Sequence, residues 1–511
     1  MAHTFDYDII ILGGGSAGIV SGVMAGALKM RVLLIEKGKM GGECLNTGCV
    51  PSKALIHAAK VAHTIRTAAQ VGIKTPVLAD DATAGVMAHV RETITQVQNA
   101  DATEQLLREN GVEIRHGSAH FTDSQTLVLD GKRLTAQNFI LATGSHPTVP
   151  DVPGLREAGF VTNQTVFDLD SVPKALLVVG GGPNGVEMAQ AFGRLGSQVT
   201  LVEAEDRLLA RDDSELAAAL ERHLRREGVD VRLNSKLASV QSVGGRRVAT
   251  ILRDNVREAV ACDEILVSVG RAPNTDGLNL EAAGVEYDGK RVQTDAQLRT
   301  TAEQIYACGD LLGAYQFSHM AEYEAKTVVR NIVFPGAAKA DFRLDPWTTF
   351  TDPEVAHLGL TEDEAKAQGI PHEVYRQPFA QNDRAITDNE TEGFIKVLTQ
   401  GLTGKILGVQ IFGPRAGELL QEWTLAMQHG HSIREVGDMV HVYPTLSMAC
   451  QHVAQRWYER KSQEPLAQKG LDTYAKTIRP REKALAWGAL GLTVGVGLIG
   501  WLASRRGEEP R

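Results

Sequence analysis

The segment Gly41-Gly42-Glu43-Cys44-Leu45-Asn46-Thr47-Gly48-Cys49-Val50-Pro51-Ser52-Lys53 holds two cysteines with four residues between them. A disulfide across that spacing closes a small ring that is easily reached and opened. At the start of a helix its thiolates are stabilised by the helix dipole. Such a pair suits reversible redox chemistry, which makes Cys44 and Cys49 the candidate catalytic residues. A metal pair and two plain buried cysteines are the alternatives. Metal pairs more often use two-residue spacing and need further ligands nearby, so no metal site is expected.

Two glycine-rich turns could bind phosphates. One is Gly13-Gly14-Gly15-Ser16-Ala17-Gly18; the other is Gly180-Gly181-Gly182-Pro183-Asn184-Gly185. In a GxGxxG turn the first glycine allows a tight bend and the second lets backbone approach a pyrophosphate. The third lets helix and strand pack closely, and the helix N-terminus offers unpaired N–H groups to the phosphates. Gly13, Gly15 and Gly18 fit this pattern, as do Gly180, Gly182 and Gly185. Each turn is followed by a strand ending in an acidic residue, Glu36 and Glu203, suited to a ribose hydroxyl. A carboxylate there repels a 2′-phosphate. With Glu205 and Asp206 beside Glu203 and only Arg207 opposing, NADH is expected in preference to NADPH.

The elements that must position these residues follow from the pattern. Asp6 to Leu12 reads as a buried strand, an Ala/Gly-rich helical run follows the turn, and Val32 to Glu36 is the next strand. The order recurs with strands at Ala175 to Val179 and Val199 to Glu203. Val86 to Leu107 has helical periodicity, and short strands end at Ala142-Thr143-Gly144 and Ser268-Val269-Gly270. From about Leu344 to Arg456 a third folding unit mixes strands and helices.

Composition bounds the class. The chain has 511 residues, 51 of them Gly, and is 43% hydrophobic, as expected of a multidomain α/β enzyme. A net charge of -9 argues against a nucleic-acid partner, which would need a basic surface. The other cysteines are Cys262, Cys308 and Cys450. The first two sit on apolar strand segments and read as structural, and Cys450 reads as a small buried core residue.

The motifs together resemble those of the class I pyridine nucleotide-disulfide oxidoreductases, the family that includes dihydrolipoamide dehydrogenase, glutathione reductase and mercuric reductase. The resemblance runs from about Tyr7 to Arg456. It is carried by GGGSAG, GGECLNTGCVPSK, ATG at 142–144, GGGPNGVE at 180–187, VGRAPN at 269–274, IYACGD at 305–310 and FTDPEVAHLGLTEDEA at 350–365. It implies FAD as cofactor, two Rossmann-like dinucleotide-binding domains, an α+β C-terminal dimerisation domain and a homodimer. The implied boundaries are 1–150 and 275–340 for the FAD domain, 151–274 for the nicotinamide domain and 341–462 for dimerisation. Cys49 would lie against the flavin, and Cys44 would be the interchange thiol. Lys53 would pair with Glu187 beside the flavin, Glu36 would hold the adenosine ribose, and Asp310 the ribityl chain. Thr143, Gly144, Gly270 and Arg271 fall in motifs that line the cofactors.

One departure bears on the acceptor. Disulfide-reducing members carry His-Pro-Thr with a Glu four residues beyond the Pro; the His is the acid/base and the Glu orients it. Here Tyr443 stands in the place of the His and Met448 in the place of the Glu. A phenol with a reference pKa of about 10 is a poor base near neutrality, though it can donate a hydrogen bond. His441 lies two residues too early and reads as an ordinary interface or surface histidine. The stretch from Pro444 to Met448 is similar to one in mercuric reductase, but the vicinal cysteines that deliver its ion have no counterpart here.

Residues 484–504 carry no charge. As a helix they would reach about 31 Å, enough to span a hydrocarbon core. Trp487 and Trp501 sit near the ends as interface anchors do. A single C-terminal transmembrane helix is expected there, after a linker at 463–483 and before a tail at 505–511. Lys476, Arg479, Arg481 and Lys483 place the catalytic part on the cytoplasmic side. The chain is thus expected to be a membrane-anchored oxidoreductase passing electrons from NADH through FAD to Cys44–Cys49 and on to a thiol-reactive acceptor: a metal ion, a small-molecule disulfide or a protein disulfide. Transfer to a quinone and the dihydrolipoamide dehydrogenase reaction stay open as alternatives.

Overall fold

The computed structural model describes residues 5–478 apart from 75–77, 80 and 337. The expected transmembrane helix lies outside the described residues. Among those that are described, no helix is long and apolar enough to cross a membrane. The chain divides into two compact units, one running to Asp345 with Thr349–Thr351 and the other holding Pro346–Thr348 and the chain from Asp352.

The first unit contains two nucleotide-type sheets. The larger has seven strands; its central part runs Val112–His116, Val32–Glu36, Tyr7–Leu12, Lys132–Leu141. Those pairings are parallel, and Ile305–Ala307 adds to Lys132–Leu141 in parallel as well. Strands covered on both faces read as continuous apolar runs rather than alternating ones, and Ile9, Ile10 and Ile11 are accordingly fully buried. The second sheet orders Asp230–Arg232, Gln198–Val202, Ala175–Val179 and Glu264–Val267, all parallel. A three-stranded antiparallel sheet, Ser235–Val243, Arg246–Arg253 and Val256–Cys262, accompanies it.

The first strand, turn, helix and next strand recur in the second sheet with matching contacts. Gly13 N–H donates to Ile35 O at 2.8 Å and Gly180 N–H to Val202 O at 2.9 Å. Helices Ser16–Ala27 and Pro183–Arg194 start directly after the turns. A Cβ on Gly18 would sit 1.8 Å from Gly13 O, and one on Gly185 1.9 Å from Gly180 O. Only glycine permits helices that close to the turns.

Two expectations change in detail. The helix read from Val86 to Leu107 is two helices, Val86–Asp101 and Thr103–Glu109, because Ala102 takes a left-handed conformation (φ 40) that a helix does not continue through. The strand before Ala142 is ten residues long rather than short, with its outer half joined to an antiparallel hairpin.

The second unit is built on a five-stranded sheet, ordered Trp347–Thr349, Glu354–Gly359, Lys405–Gly413, Phe394–Gln400, Glu373–Pro378. Helices Ala416–Gln428 and Met448–Ser462 pack on it through Trp423, Val453 and Trp457. Within the expected linker, residues Pro465–Thr473 form a helix.

Candidate active site

Cys49 is the first residue of helix Cys49–Thr67, and Cys44 lies in the short helix Gly42–Asn46 just before it. Both thiols are free; Cys44 is half-buried and Cys49 exposed. The Cys44 thiol donates to Cys49, and the Ser318 hydroxyl lies 3.4 Å from Cys49 Sγ. These bonds and the Lys53 charge outweigh burial and hold the Cys49 thiol down at about 6. The N-terminal end of the helix acts in the same direction. The Cys44 thiol is pushed far up, by its bond to Cys49 and by burial. The pair is therefore asymmetric, with one thiolate and one thiol that solvates it.

One turn further along the helix, Lys53 Nζ lies 2.9 Å from Glu187 Oε2. Glu187 is buried and its other oxygen accepts the Phe350 N–H at 2.8 Å. The Lys53 ammonium also sits over the Phe350 ring, 4.2 Å from its centroid. Three residues distant in sequence thus fix one another beside the cysteines.

The nucleotide motifs show the same repetition as the fold. Glu36 accepts from Gly14 N–H and Gly38 N–H, both at 2.5 Å. Glu203 accepts from Gly181 N–H at 2.5 Å and Glu205 N–H at 2.9 Å. An ionised carboxylate has about four lone-pair sites, so each retains capacity for ribose hydroxyls. The backbone is open at the second glycine of each turn, where the motif lets a pyrophosphate approach. A Cβ on Gly182 would meet nothing within 4 Å, and one on Gly15 only the Gly42 Cα at 3.8 Å. The open second glycine beside a closed third one fits a pyrophosphate laid against backbone.

The remaining positions also group. Thr143 Oγ1 donates to Asn274 O at 2.8 Å, and Asn274 N–H donates to Gly144 O at 2.9 Å. Gly270 accepts from Thr148 N–H, and Ser145 Oγ donates to Asp310 Oδ2 at 2.5 Å. Arg271 Nε donates to Ser145 Oγ at 2.8 Å while the rest of its guanidinium grips Glu43.

Tyr443 belongs to the second unit. Its hydroxyl donates to Asp383 Oδ2 at 3.0 Å, which raises the phenol pKa. Beside it, Asn382 Nδ2 donates to Thr445 O at 3.1 Å. His441 is a correction to the sequence reading. Its imidazole is only 2% exposed and faces Glu422 Oε2 at 3.3 Å, with Nδ1 bonded to Met439 O at 3.1 Å. Its neighbours Val440 and Val442 are 93% and 74% exposed. In extended chain, successive side chains point to opposite sides, so outward valines turn His441 inward. Cys450 is fully buried and pushed well up by desolvation and by Glu422, in keeping with a core role. Cys262 and Cys308 are buried too.

Sequence reasoning missed Glu43, Ser318, Phe350 and Asp383. Ser318 is the first residue of helix Ser318–Val333, whose N-cap is Phe317, so no capping signal marks it. Asn382-Asp383 is a helix-start signal that was legible; that it meets Tyr443 was not.

Residues 7–325 match the pyridine nucleotide-disulphide oxidoreductase family, and 345–454 match its dimerisation domain. Mercuric reductase of Staphylococcus aureus is 32% identical over 86% of this chain and 81% of its own. Dihydrolipoyl dehydrogenase of Thermus scotoductus is 35% identical over 89% of this chain and 98% of its own. Among solved structures, the copper(II) complex of the HOCl-induced flavoprotein disulfide reductase RclA from Escherichia coli superposes with a TM-score of 0.78 at 26% identity, covering 88% of this chain and 99% of that one. With both its nucleotide turns, its cysteine pair and its C-terminal sheet accounted for, this chain belongs to the pyridine nucleotide-disulphide oxidoreductases and is a flavin-dependent enzyme of that family.

Proposed function

We propose that this enzyme is an NADH-dependent reductase that delivers electrons through the Cys44–Cys49 pair to a soft metal ion. Bound FAD supplies the relay between nicotinamide hydride and the disulfide. The observation that carries the choice of acceptor is the state of the 441–448 segment. Its one imidazole, His441, is buried against Glu422, and the Tyr443 proton is committed to Asp383. Neither group serves as a base for a leaving thiol near neutral pH. Reduction of a thiolate-bound metal ion needs no such proton transfer, and soft thiolates suit soft ions. The mercuric reductases among the relatives and the copper(II) complex of RclA support the same reading.

The Glu203 carboxylate, with Glu205 and Asp206 following it, supports NADH over NADPH. The dimerisation domain supports a homodimer. The uncharged run at 484–504 and the basic residues before it support tethering at a membrane, with the catalytic part on the cytoplasmic side.

The test is an anaerobic NADH titration of the purified full-length protein, followed by visible absorbance, then NADH oxidation with mercury(II), copper(II) and oxidised lipoamide. Four electrons per FAD, with metal ions as the faster acceptors, is the expected result. Turnover of quinones that survives Cys44→Ser with Cys49→Ser would overturn it in favour of direct transfer from the flavin.

A further inference from the structure

Helix Gly42–Asn46 is five residues long and carries the thiol that would meet the acceptor. A helix that short has no stability of its own, since nucleation costs more than one turn returns. It starts at Gly41 without a side-chain cap, and Leu45 is its one buried residue. Side chains must therefore hold it. Asn46 Nδ2 donates back to Met40 O and Gly42 O, and Gln98 donates to Asn46 Oδ1 at 2.8 Å. Those bonds tie the end of the helix back to its start, and the Gly41 N–H donates to Gly14 O at 2.9 Å. The one charged side chain of the helix, Glu43, adds a further anchor.

The Glu43 carboxylate is gripped from two directions. Arg271 reaches Oε1 at 3.0 Å and also bonds Oε2, and Asn163 Nδ2 donates to Oε1. Glu43 and Arg271 side chains are 24% and 23% exposed, so this bidentate pair is partly shielded from water. Both partners are themselves held. Arg271 is braced on its far side by Ser145 Oγ, which donates to Asp310. Asn163 is buried, and Val161 two residues earlier bridges to Leu266 in the second parallel sheet. A continuous chain of bonds thus runs Asn163–Glu43–Arg271–Ser145–Asp310.

We infer that Glu43 is a positioning residue for Cys44: gripped by Arg271 and Asn163, its carboxylate holds the short helix so that the Cys44 thiol stays in hydrogen-bonding contact with Cys49. This rests on the redox role of the cysteine pair proposed above. Glu43 touches neither sulfur and acts only through the placement of the helix.

The experiment uses the reduced full-length holoenzyme and reads two properties that a merely structural side chain would not move. These are the pH midpoint for iodoacetamide labelling of Cys49 and the labelling rate of Cys44 at pH 7, both resolved by peptide mass. Glu43→Gln is expected to raise the Cys49 midpoint and to speed Cys44 labelling about tenfold as the thiol loosens. Glu43→Asp, with its charge kept on a shorter arm, should recover part of both. Asn163→Ala removes one bond and leaves the ion pair; it should shift both properties the same way by less. It also serves if Glu43→Gln fails to fold. Variants that fold, retain flavin and label like the parent would overturn the inference. A parent protein in which Cys49 shows no acid-shifted labelling would instead overturn the redox reading of the pair.

Discussion

The Tyr443 hydroxyl donates to Asp383 Oδ2 at 3.0 Å, so the side chain standing where disulfide-reducing relatives have an imidazole already has its proton placed. That bond lifts the phenol further from the range in which it would act as a base. Met448, half-buried at the first position of helix Met448–Ser462, cannot accept a hydrogen bond as a carboxylate would. Replacing both, Tyr443→His with Met448→Glu, should raise dihydrolipoamide turnover at least about tenfold, since a placed acid/base is worth that or more. The rate at which NADH reduces the flavin should not change. Steady-state assays with lipoamide beside anaerobic stopped-flow reduction would check both. No gain in the double variant would mean that something other than the missing imidazole limits that reaction.

The Lys53–Glu187 pair leads to a second expectation. Glu187 binds Lys53 with one oxygen and the Phe350 N–H with the other, so it places two groups at once. Glu187→Gln keeps the shape but removes the charge that holds the ammonium. Small displacements of groups around a reacting centre cost up to about 10²-fold in rate. Flavin reduction by NADH should slow by about that factor, with the flavin-to-protein ratio unchanged. Stopped-flow absorbance at the flavin maximum measures it. A parent-like rate would show that the pair is structural only.

Much of this was legible in the sequence because the nucleotide turns and the cysteine segment are each local. Strands Val32–Glu36 and Ala175–Val179 carry their boundaries in apolar runs ended by an acid or a glycine. The turns needed glycine at fixed offsets for a reason that backbone geometry repeats, 22 residues separating Gly14 from Glu36 and Gly181 from Glu203. What the sequence withheld are contacts that close over long separations. Ser318 meets Cys49 across 269 residues, and Arg271 meets Glu43 across 228. His441 was misread for a related reason. A histidine between valines gives no periodic sign of which side faces the core, and here the valines are outside.

The helix that carries Glu187 is anchored by a buried charge cluster, which gives a stability prediction. Arg194, at its C-terminal end, binds Glu227 bidentately, and His223 Nε2 lies 2.8 Å from Glu227 Oε1. Burial opposes ionisation of Glu227, but the His223 and Arg194 bonds and charges win and hold it at about 2. Glu227→Gln leaves Arg194 buried without its counter-charge, which typically costs about 3 kcal/mol. The urea midpoint should fall accordingly at pH 7. A depressed carboxyl stabilises fully above its unfolded pKa and loses that contribution as pH falls through the folded one. The gap between parent and variant should therefore narrow from about pH 4.5 down to about 2, where both carry a neutral side chain. An equal gap at every pH would remove Glu227 ionisation as the cause.

The depressed Cys49 thiol supplies the pH signature of the site. Its ordinary value is 9.0, and the structure holds it at about 6 through the Cys44 bond, then Ser318 and the Lys53 charge, against burial. Above about pH 6 the reduced protein carries the Cys49 thiolate; below it the thiolate is protonated and loses nucleophilicity. Iodoacetamide labelling of Cys49 should thus rise through pH 6 and be flat by pH 8. Since the Cys44 bond is the largest stabilising contribution, Cys44→Ala should move the midpoint upward further than Ser318→Ala does. Ser318→Ala, which removes one longer 3.4 Å contact, should shift it upward by about half a unit. If Ser318→Ala had the larger effect, the thiolate would be held mainly by helix Ser318–Val333 and not by its cysteine partner. Labelling that rose only through pH 8 to 9 would mean that neither bond stabilises the charge in solution, and the asymmetry between the two thiols would have to be abandoned.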